Sequence, residues 1–134
     1  MVKQDRSFGS YTDAELDKGV SEVTLKGQAY VDGILSTFPE CALIAKHYPG
    51  YNEYKNSDVS VVVSEESKEN VLKRGRPFLD VKGVAGIMMA SIRYKAFGGE
   101  PAVWSKELID SIRAEVICSF CPSLVHICSA FRFF

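Results

Sequence analysis

The sequence predicts an all-α domain, and three observations favour that class. A helix-start pattern precedes a long apolar repeat at helical spacing, and two later segments of similar spacing each begin near a proline. The β-branched run at residues 59–63 has no obvious partner strand. At 134 residues, with 46% hydrophobic and 25% charged residues, the chain suits one globular domain with a modest core.

The first predicted helix follows residues 1–10, which are polar and aperiodic and are expected to form a flexible arm. Thr12 and Glu15 have the spacing of a capping box, so the helix is expected to start at Asp13. Apolar residues then recur at intervals of three and four through residues 16–38, which favours helix. Alternation over residues 23–33 leaves strand as the alternative.

The middle of the chain is predicted to hold a short helix and two less regular segments. Pro39 opens the short helix, which carries Cys41 and His47 and ends before Pro49. Residues 59–63 are expected to form an extended loop, and the strongly charged residues 64–76 a short exposed helix.

The second half is predicted to be helical throughout. Residues 78–97 have a wide apolar face and read as the central helix, with Gly98 and Gly99 supplying a left-handed stop. Another helix follows over residues 101–118, and Pro122 separates it from a last apolar helix ending at Phe134. Five to seven helices would then form a single domain of residues 11–134.

Charge and cysteine usage restrict the environment and the partners. The net charge of -1 provides no global basic field, so no nucleic-acid partner is expected. Four cysteines and the lack of a leader-like start favour a reducing compartment. The apolar residues 116–134 are interrupted by Pro122, His126 and Arg132, so they are not expected to span a membrane.

Catalytic and metal-binding patterns are weak. No glycine-rich phosphate motif occurs, and we predict neither catalytic residues nor an enzyme. Cys118, Cys121, His126 and Cys128 could supply zinc ligands, but their spacing favours buried cysteines that pack between helices, and no metal site is predicted. The basic residues of the segment 73–76 could bind phosphate or carboxylate groups or form a solvated loop.

One segment resembles a known family. Residues 92–103 (IRYKAFGGEPAV), followed by Ile109, Ile112 and Pro122, resemble the part of phycobiliproteins where a tyrosine-bearing helix turns and the next helix starts. The similarity is to allophycocyanin-like members and to the biliprotein domain of the core-membrane linker, with further echoes at residues 11–17, 44–46 and 50–59. The resemblance implies a globin-like helical bundle with an N-terminal helical arm.

The function that the resemblance implies is that of a light-harvesting antenna subunit in a phycobilisome. Such a subunit would bind a bilin noncovalently or act as a pigment-free assembly component. The position of the family's pigment-tethering cysteine is Val81 here, so covalent attachment at that position is not expected. Glu100 replaces the aspartate that the family usually has in the turn.

Bilin binding requires a carboxylate for the ring N–H groups, cationic donors for the propionates and an aromatic wall. Asp80 is the candidate carboxylate, Arg76 and Arg93 the candidate donors, and Tyr94 the candidate wall. If a pigment were covalently attached, Cys41 is the expected attachment point. Each residue also has an ordinary structural role as an alternative. Asp80 would be a charge near a helix end, Arg76 and Arg93 would be solvated cations, and Tyr94 would be a core aromatic.

The implied partners are other antenna or helical subunits in an oligomer, in the cytoplasm or plastid stroma, including the thylakoid surface. The alternative is a small helical interaction or inhibitor protein without a cofactor. In that alternative the charged residues 64–76 would form the contact surface.

Overall fold

Two pairs of parallel strands form the centre of the fold, and in the chain one helix separates the first strand of each pair from the second. The computed structural model describes residues 15–51 and 59–119. In chain order the elements are α1 (Leu16–Thr37), β1 (Ile44–Tyr48), β2 (Val63–Ser64), α2 (Lys68–Asp80), β3 (Gly86–Met89), β4 (Arg93–Tyr94) and α3 (Lys106–Ser119), with a 3-10 turn at Lys95–Phe97.

This architecture is mixed α/β, so the prediction of an all-α, globin-like bundle is wrong. Within the described residues, three α-helices accompany two sheets of two strands each. Short apolar runs satisfy helical and strand periodicity about equally, and partners distant in the chain decide between them. The arm expected at residues 1–10 and the last helix expected after Pro122 lie outside the described residues.

Both sheets depend on α2 for their topology. Strand β1 runs parallel to β3, with Ile44 opposite Gly86. Strand β2 runs parallel to β4, with Val63 opposite Arg93 and Ser64 opposite Tyr94. Because α2 follows β1 and β2 and precedes β3 and β4, it provides the crossover connection that parallel strands require.

Helix α2 confirms that the charged segment is helical. Its start is fixed by Ser67, whose hydroxyl accepts a hydrogen bond from the backbone N–H of Asn70 at 3.2 Å. The helix begins four residues later than predicted and continues to Asp80. The basic segment 73–76 is therefore part of a helix and not a loop.

The predicted central helix over residues 78–97 is wrong beyond Asp80. Gly83 has a φ of +86°, and a Cβ added there would lie 2.9 Å from Leu35 Cδ1 on α1, so the chain turns sharply away from helical geometry. The apolar residues that follow form β3 and β4. Gly98 and Gly99 do adopt positive φ as expected, but they follow the 3-10 turn and not an α-helix.

The short helix predicted after Pro39 is also wrong, because residues 44–48 form β1. The pairing with the β3 segment begins where the N–H of Ala85 donates to the C=O of Leu43 at 2.7 Å. It continues to Ala90, whose N–H donates to Tyr48 O at 2.8 Å. Partners in a distant segment thus satisfy backbone groups that a single helical turn would leave to water.

The main core lies between α2, α3 and the strands. Tyr48 and Tyr94 are its largest fully buried side chains, and the Tyr48 ring packs so closely on α2 that a Cβ added at Gly75 would lie 2.6 Å from Tyr48 Cε2. Phe78 contacts the same ring edge to face, with centroids 5.6 Å apart. The buried residues of this core are Tyr48, Val62, Val71, Met89, Ala90, Ile92, Tyr94, Phe97, Ala102, Leu108 and Ile112.

Helix α1 settles the choice between helix and strand for residues 16–38 in favour of helix. It packs beside α2 and contributes none of the residues of the main core cluster. Asp17 pairs with Lys73 of α2 at 2.8 Å. The Gln28 side-chain amide accepts from Lys82 N–H at 2.8 Å and donates to Lys82 O at 3.2 Å, which holds the helix to the turn after α2.

Helix α3 confirms the helix predicted over residues 101–118 but starts later, at Lys106. Before it, the chain makes a turn in which Trp104 N–H donates to Pro101 O at 2.8 Å. Leu108 and Ile112 then bring its apolar face into the core.

Candidate interaction surface

Three valines at alternating positions lie on the outside of the molecule just before and within β2. Val59 is 80% exposed, Val61 76% and Val63 40%, whereas Val62 and Ser64 between and after them are buried. We call Val59, Val61, Val63 and the cross-strand neighbour Arg93 the valine surface. Single exposed aliphatic residues are common, but three at this spacing form a local apolar surface.

The pairing of β2 with β4 explains which side chains face outwards. Paired residues in a sheet share one face, and here Val63 lies opposite Arg93, both exposed, while Ser64 lies opposite Tyr94, both buried. Among the described strands, β4 is the only neighbour of β2. Parallel sheets are normally covered on both faces, so an uncovered apolar face on this one is unusual.

A buried polar cluster beneath the valine surface holds β2 in place. The Ser64 hydroxyl donates to Glu66 Oε2 at 3.1 Å and accepts from the Glu66 backbone N–H at 3.3 Å. Arg74 of α2 donates from Nε to Glu66 Oε1 at 3.2 Å, and the two side chains are only 10% and 5% exposed. The end of β2 is therefore tied to the second turn of α2.

Tyr94 extends this support to the segment after β1. Its hydroxyl donates to the C=O of Gly50 at 2.9 Å. Gly50 has a φ of +109°, and a Cβ added there would lie 3.3 Å from Arg74 Cγ. Both neighbours of the valine surface on the inner side, Ser64 and Tyr94, are thus held by hydrogen bonds, Ser64 to Glu66 and Tyr94 to Gly50.

Arg93 gives the valine surface a positive charge. Among the described residues its guanidinium has no ion-pair partner, whereas Arg74, Arg76 and Arg113 all do. The next outward cation, Lys95, is neutralised by Glu65 at 2.6 Å. The surface therefore combines aliphatic side chains with one uncompensated positive charge.

The residues expected to bind a bilin are only partly brought together. Arg76 donates to Asp80 at 2.6 Å and to Glu115 of α3 at 3.0 Å. Burial alone would lower the pKa of Arg76, but these two carboxylates outweigh burial and raise the pKa. A cation paired in this way already has the anions that a propionate would have to replace.

Two more of those residues point in opposite directions. Arg93 and Tyr94 are neighbours on β4, with Arg93 outside and Tyr94 in the core, so they do not line one cavity. Cys41 is exposed in the segment between α1 and β1.

The charged residues 64–76 bind within the molecule. Lys68 pairs with Glu107, Lys73 with Asp17, and Arg74 with Glu66. The hydrogen bond that Lys73 donates to Asp17, together with the charge of Asp17, raises the pKa of Lys73. These charges join α2 to α1, α3 and the end of β2, which leaves them less suited to an outside partner than the valine surface.

Tyr48 is the buried titratable group nearest to the Arg76 cluster. Burial raises the pKa of Tyr48 above its ordinary value of 10.0, and a hydrogen bond with Ser111 lowers it in part. The charge of Glu115 raises the pKa further and that of Arg76 lowers it. The phenol is therefore neutral at physiological pH and serves the packing of α2 against α3.

Sequence reasoning did not find the valine surface, although a signal was present. Valines at positions 59, 61 and 63 follow the alternation of a strand with one exposed face. Only the pairing with β4 shows that this alternation faces outwards.

No described helix has the length and apolar character needed to cross a membrane. Nor does any cluster of three or more His, Cys, Asp or Glu side chains suited to a metal ion occur in residues 15–51 and 59–119. The possible zinc ligands Cys121, His126 and Cys128 lie outside the described residues. Comparisons with protein-family models, with curated proteins and with solved structures find no match.

Proposed function

We propose that this chain is a protein-interaction module that binds a partner protein through the valine surface. The observation that carries the proposal is the exposure of Val59 and Val61, 80% and 76%, beside a strand whose inner side is rigidly held. Covering these side chains would remove apolar area from water at a gain of about 25 cal/mol per Å².

This proposal keeps the alternative of a small interaction protein, but it assigns the contact to the valine surface and not to the charged residues 64–76. The charged residues 64–76 are expected in that alternative to meet the partner, yet Glu66, Lys68, Lys73 and Arg74 are engaged in ion pairs within the chain. The three valines of the valine surface lie immediately before that segment in the chain. Self-association in an oligomer is a second form that such an interaction can take.

The test is affinity capture with the full chain and a matched surface variant. Val59→Ser/Val61→Ser removes apolar area from exposed side chains without touching the core. Proteins retained from an extract of the source organism are identified, purified and titrated against both forms by calorimetry. We expect a partner whose affinity falls at least tenfold with the variant, while circular dichroism and melting temperature stay unchanged.

Equal binding of every captured protein by the two forms would exclude the valine surface as the contact. A variant with a lowered melting temperature is replaced by Val61→Thr, which keeps the β-branched shape while adding a hydroxyl.

The antenna function implied by the phycobiliprotein resemblance stays a prediction, as do its cofactor and its location. An absorption spectrum of the chain produced beside a bilin-synthesis pathway tests it. A visible band that denaturation abolishes, with unchanged protein mass, would support noncovalent pigment binding, and added mass would point to Cys41. A colourless protein would exclude the pigment-binding function, and the interaction function would remain.

A further inference from the structure

We infer that the partner of the valine surface presents a carboxylate to Arg93, set among aliphatic side chains. The inference rests on the proposed function and adds the chemistry of the partner. It follows from the pairing of Arg93 on β4 with the exposed Val63 on β2, because the Arg93 guanidinium has no ion-pair partner among the described residues.

The inference starts from the positive charge of Arg93, which has no ion-pair partner among the described residues. Every other described arginine side chain lies within an ion pair with a carboxylate of this chain. Arg93 has no such pair, and it is exposed on the outer side of β4. A partner that covers Val63 also covers its cross-strand neighbour, and a guanidinium covered without an anion would lose hydration with nothing in return.

A single carboxylate fits this charge better than a polyanion. Lys95, the next cation along the chain, already pairs with Glu65. Nucleic acid and anionic lipid surfaces bind through several unpaired cations, and the valine surface offers one. A carboxylate matches the fork of a guanidinium with two parallel hydrogen bonds, which are strengthened when neighbouring valines exclude water.

The valines define the rest of the partner. Val61 and Val63 are two positions apart, a spacing of about 7 Å along an extended chain. Aliphatic residues of a partner segment would pack on them, with the acidic residue placed opposite Arg93. The partner is therefore a protein segment with at least two aliphatic residues and one aspartate or glutamate.

The experiment is selection of a random heptapeptide library displayed on phage at the amino terminus of the coat protein, so that acidic groups in the peptide come only from side chains. The immobilised full chain is the bait, and Val61→Ser/Val63→Ser is the bait for counter-selection. Enriched peptides are synthesised with their acidic residue intact or changed to the amide. Their affinities are measured on wild type, Arg93→Gln and the matched control Lys46→Gln, which neutralises an exposed cation on β1.

We expect enriched peptides to contain an acidic residue beside aliphatic ones. The change from acid to amide should weaken binding to wild type and to Lys46→Gln about tenfold, and should have no effect on Arg93→Gln. Circular dichroism and melting temperature confirm that the variants are folded.

Two results would overturn the inference while leaving the proposed function intact. One is enrichment of valine-dependent peptides without an acidic residue; the other is an acid-to-amide loss as large on Arg93→Gln as on Lys46→Gln. A concentration-dependent dimer of wild type that Val61→Ser/Val63→Ser abolishes in sedimentation would assign the surface to a second copy and not to a foreign segment. Failure to enrich any peptide that depends on Val61 and Val63 would count against the proposed function itself.

Discussion

At the scale of single residues, the contact between Tyr48 and Gly75 shows how tightly the core determines side-chain size. Tyr48 is 1% exposed, and its ring lies where the side chain of any residue other than glycine at position 75 would start. Gly33 on α1 is the opposite case, because nothing lies within 4 Å of a Cβ added there. Two glycines inside helices thus have different reasons for their presence.

Gly75→Ala is expected to destabilise the protein by about 1–3 kcal/mol, because the new methyl group overlaps the Tyr48 ring. Gly33→Ala is expected to stabilise it by up to about 1 kcal/mol through higher helix propensity. Chemical denaturation of both variants measures the difference. A gain in stability from Gly75→Ala would show that the ring can move aside.

Tyr48 also predicts an alkaline limit to stability. Because burial raises its pKa above 10.0, the folded state holds the phenolic proton more tightly than the unfolded chain. Its contribution is fully present below about pH 10 and is lost as pH rises through the folded pKa. Tyr48→Phe is therefore expected to flatten the fall of the free energy of unfolding above pH 10.

The control for this pH profile is Tyr30→Phe, which changes an exposed tyrosine on α1. It should leave the alkaline slope as in wild type. Identical slopes for wild type and Tyr48→Phe would mean that other groups cause the alkaline loss.

At the scale of elements, the turn between β2 and α2 determines how the valine surface is presented. Ser64, Glu66 and Arg74 form one hydrogen-bonded cluster from the end of the strand into the helix. One position earlier, Glu65 pairs with Lys95 in solvent. Adjacent glutamates therefore provide a buried and an exposed ion pair for comparison.

Glu66→Ala is expected to cost about 3–5 kcal/mol of unfolding free energy, because it removes a carboxylate that pairs with the buried Arg74 charge. Glu65→Ala is expected to cost less than about 1 kcal/mol, since both members of the Glu65–Lys95 pair are exposed to solvent. Urea denaturation measures both variants. Similar losses for the two would contradict the assignment of the Glu66 pair as the structural one.

At the scale of the whole molecule, α1 is attached to the domain and does not form part of its main core. The core cluster takes residues from the strands, α2, α3 and the segments that join them. Helix α1 packs beside α2 with Leu16 and Val31 buried, and it is also held by the Asp17–Lys73 pair and by the two hydrogen bonds between Gln28 and Lys82. Such an attachment permits local opening of α1 while the core stays folded.

Native-state hydrogen exchange is expected to show α1 opening at a lower free energy than β3, β4 and α3. Gln28→Ala should speed exchange in α1 and leave unchanged the buried amide of Ala90, which donates to Tyr48 O. Exchange of α1 and Ala90 by one global opening in both proteins would show that the helix is an integral part of the core.

Local signals in the sequence were sufficient for α1, for the helical charged segment, for α3 and for the positive φ of Gly98 and Gly99. Each depends on residues within a few positions of one another: caps, helical spacing or glycine flexibility. The strands could not be predicted this way, since residues 86–89 fit both periodicities and their partner is β1.

The valine surface, too, could be predicted from the sequence only in part. The alternating valines are visible in the sequence, and so is the positive charge of Arg93. Their proximity is not, because Val63 and Arg93 are distant in the chain and meet only through the β2–β4 pairing.

The sequence by itself determined the helical state of α1, α2 and α3, the glycine turn at Gly98 and Gly99 and the low net charge of this protein, since these follow from neighbouring residues and from composition. The tertiary structure alone decided the α/β class, the internal pairing of the charged residues and the outward position of the valines. The physical reason is that strand pairing and ion pairing are satisfied between distant segments. Whether an apolar or charged side chain meets the core or the solvent therefore depends on which segment lies beside it.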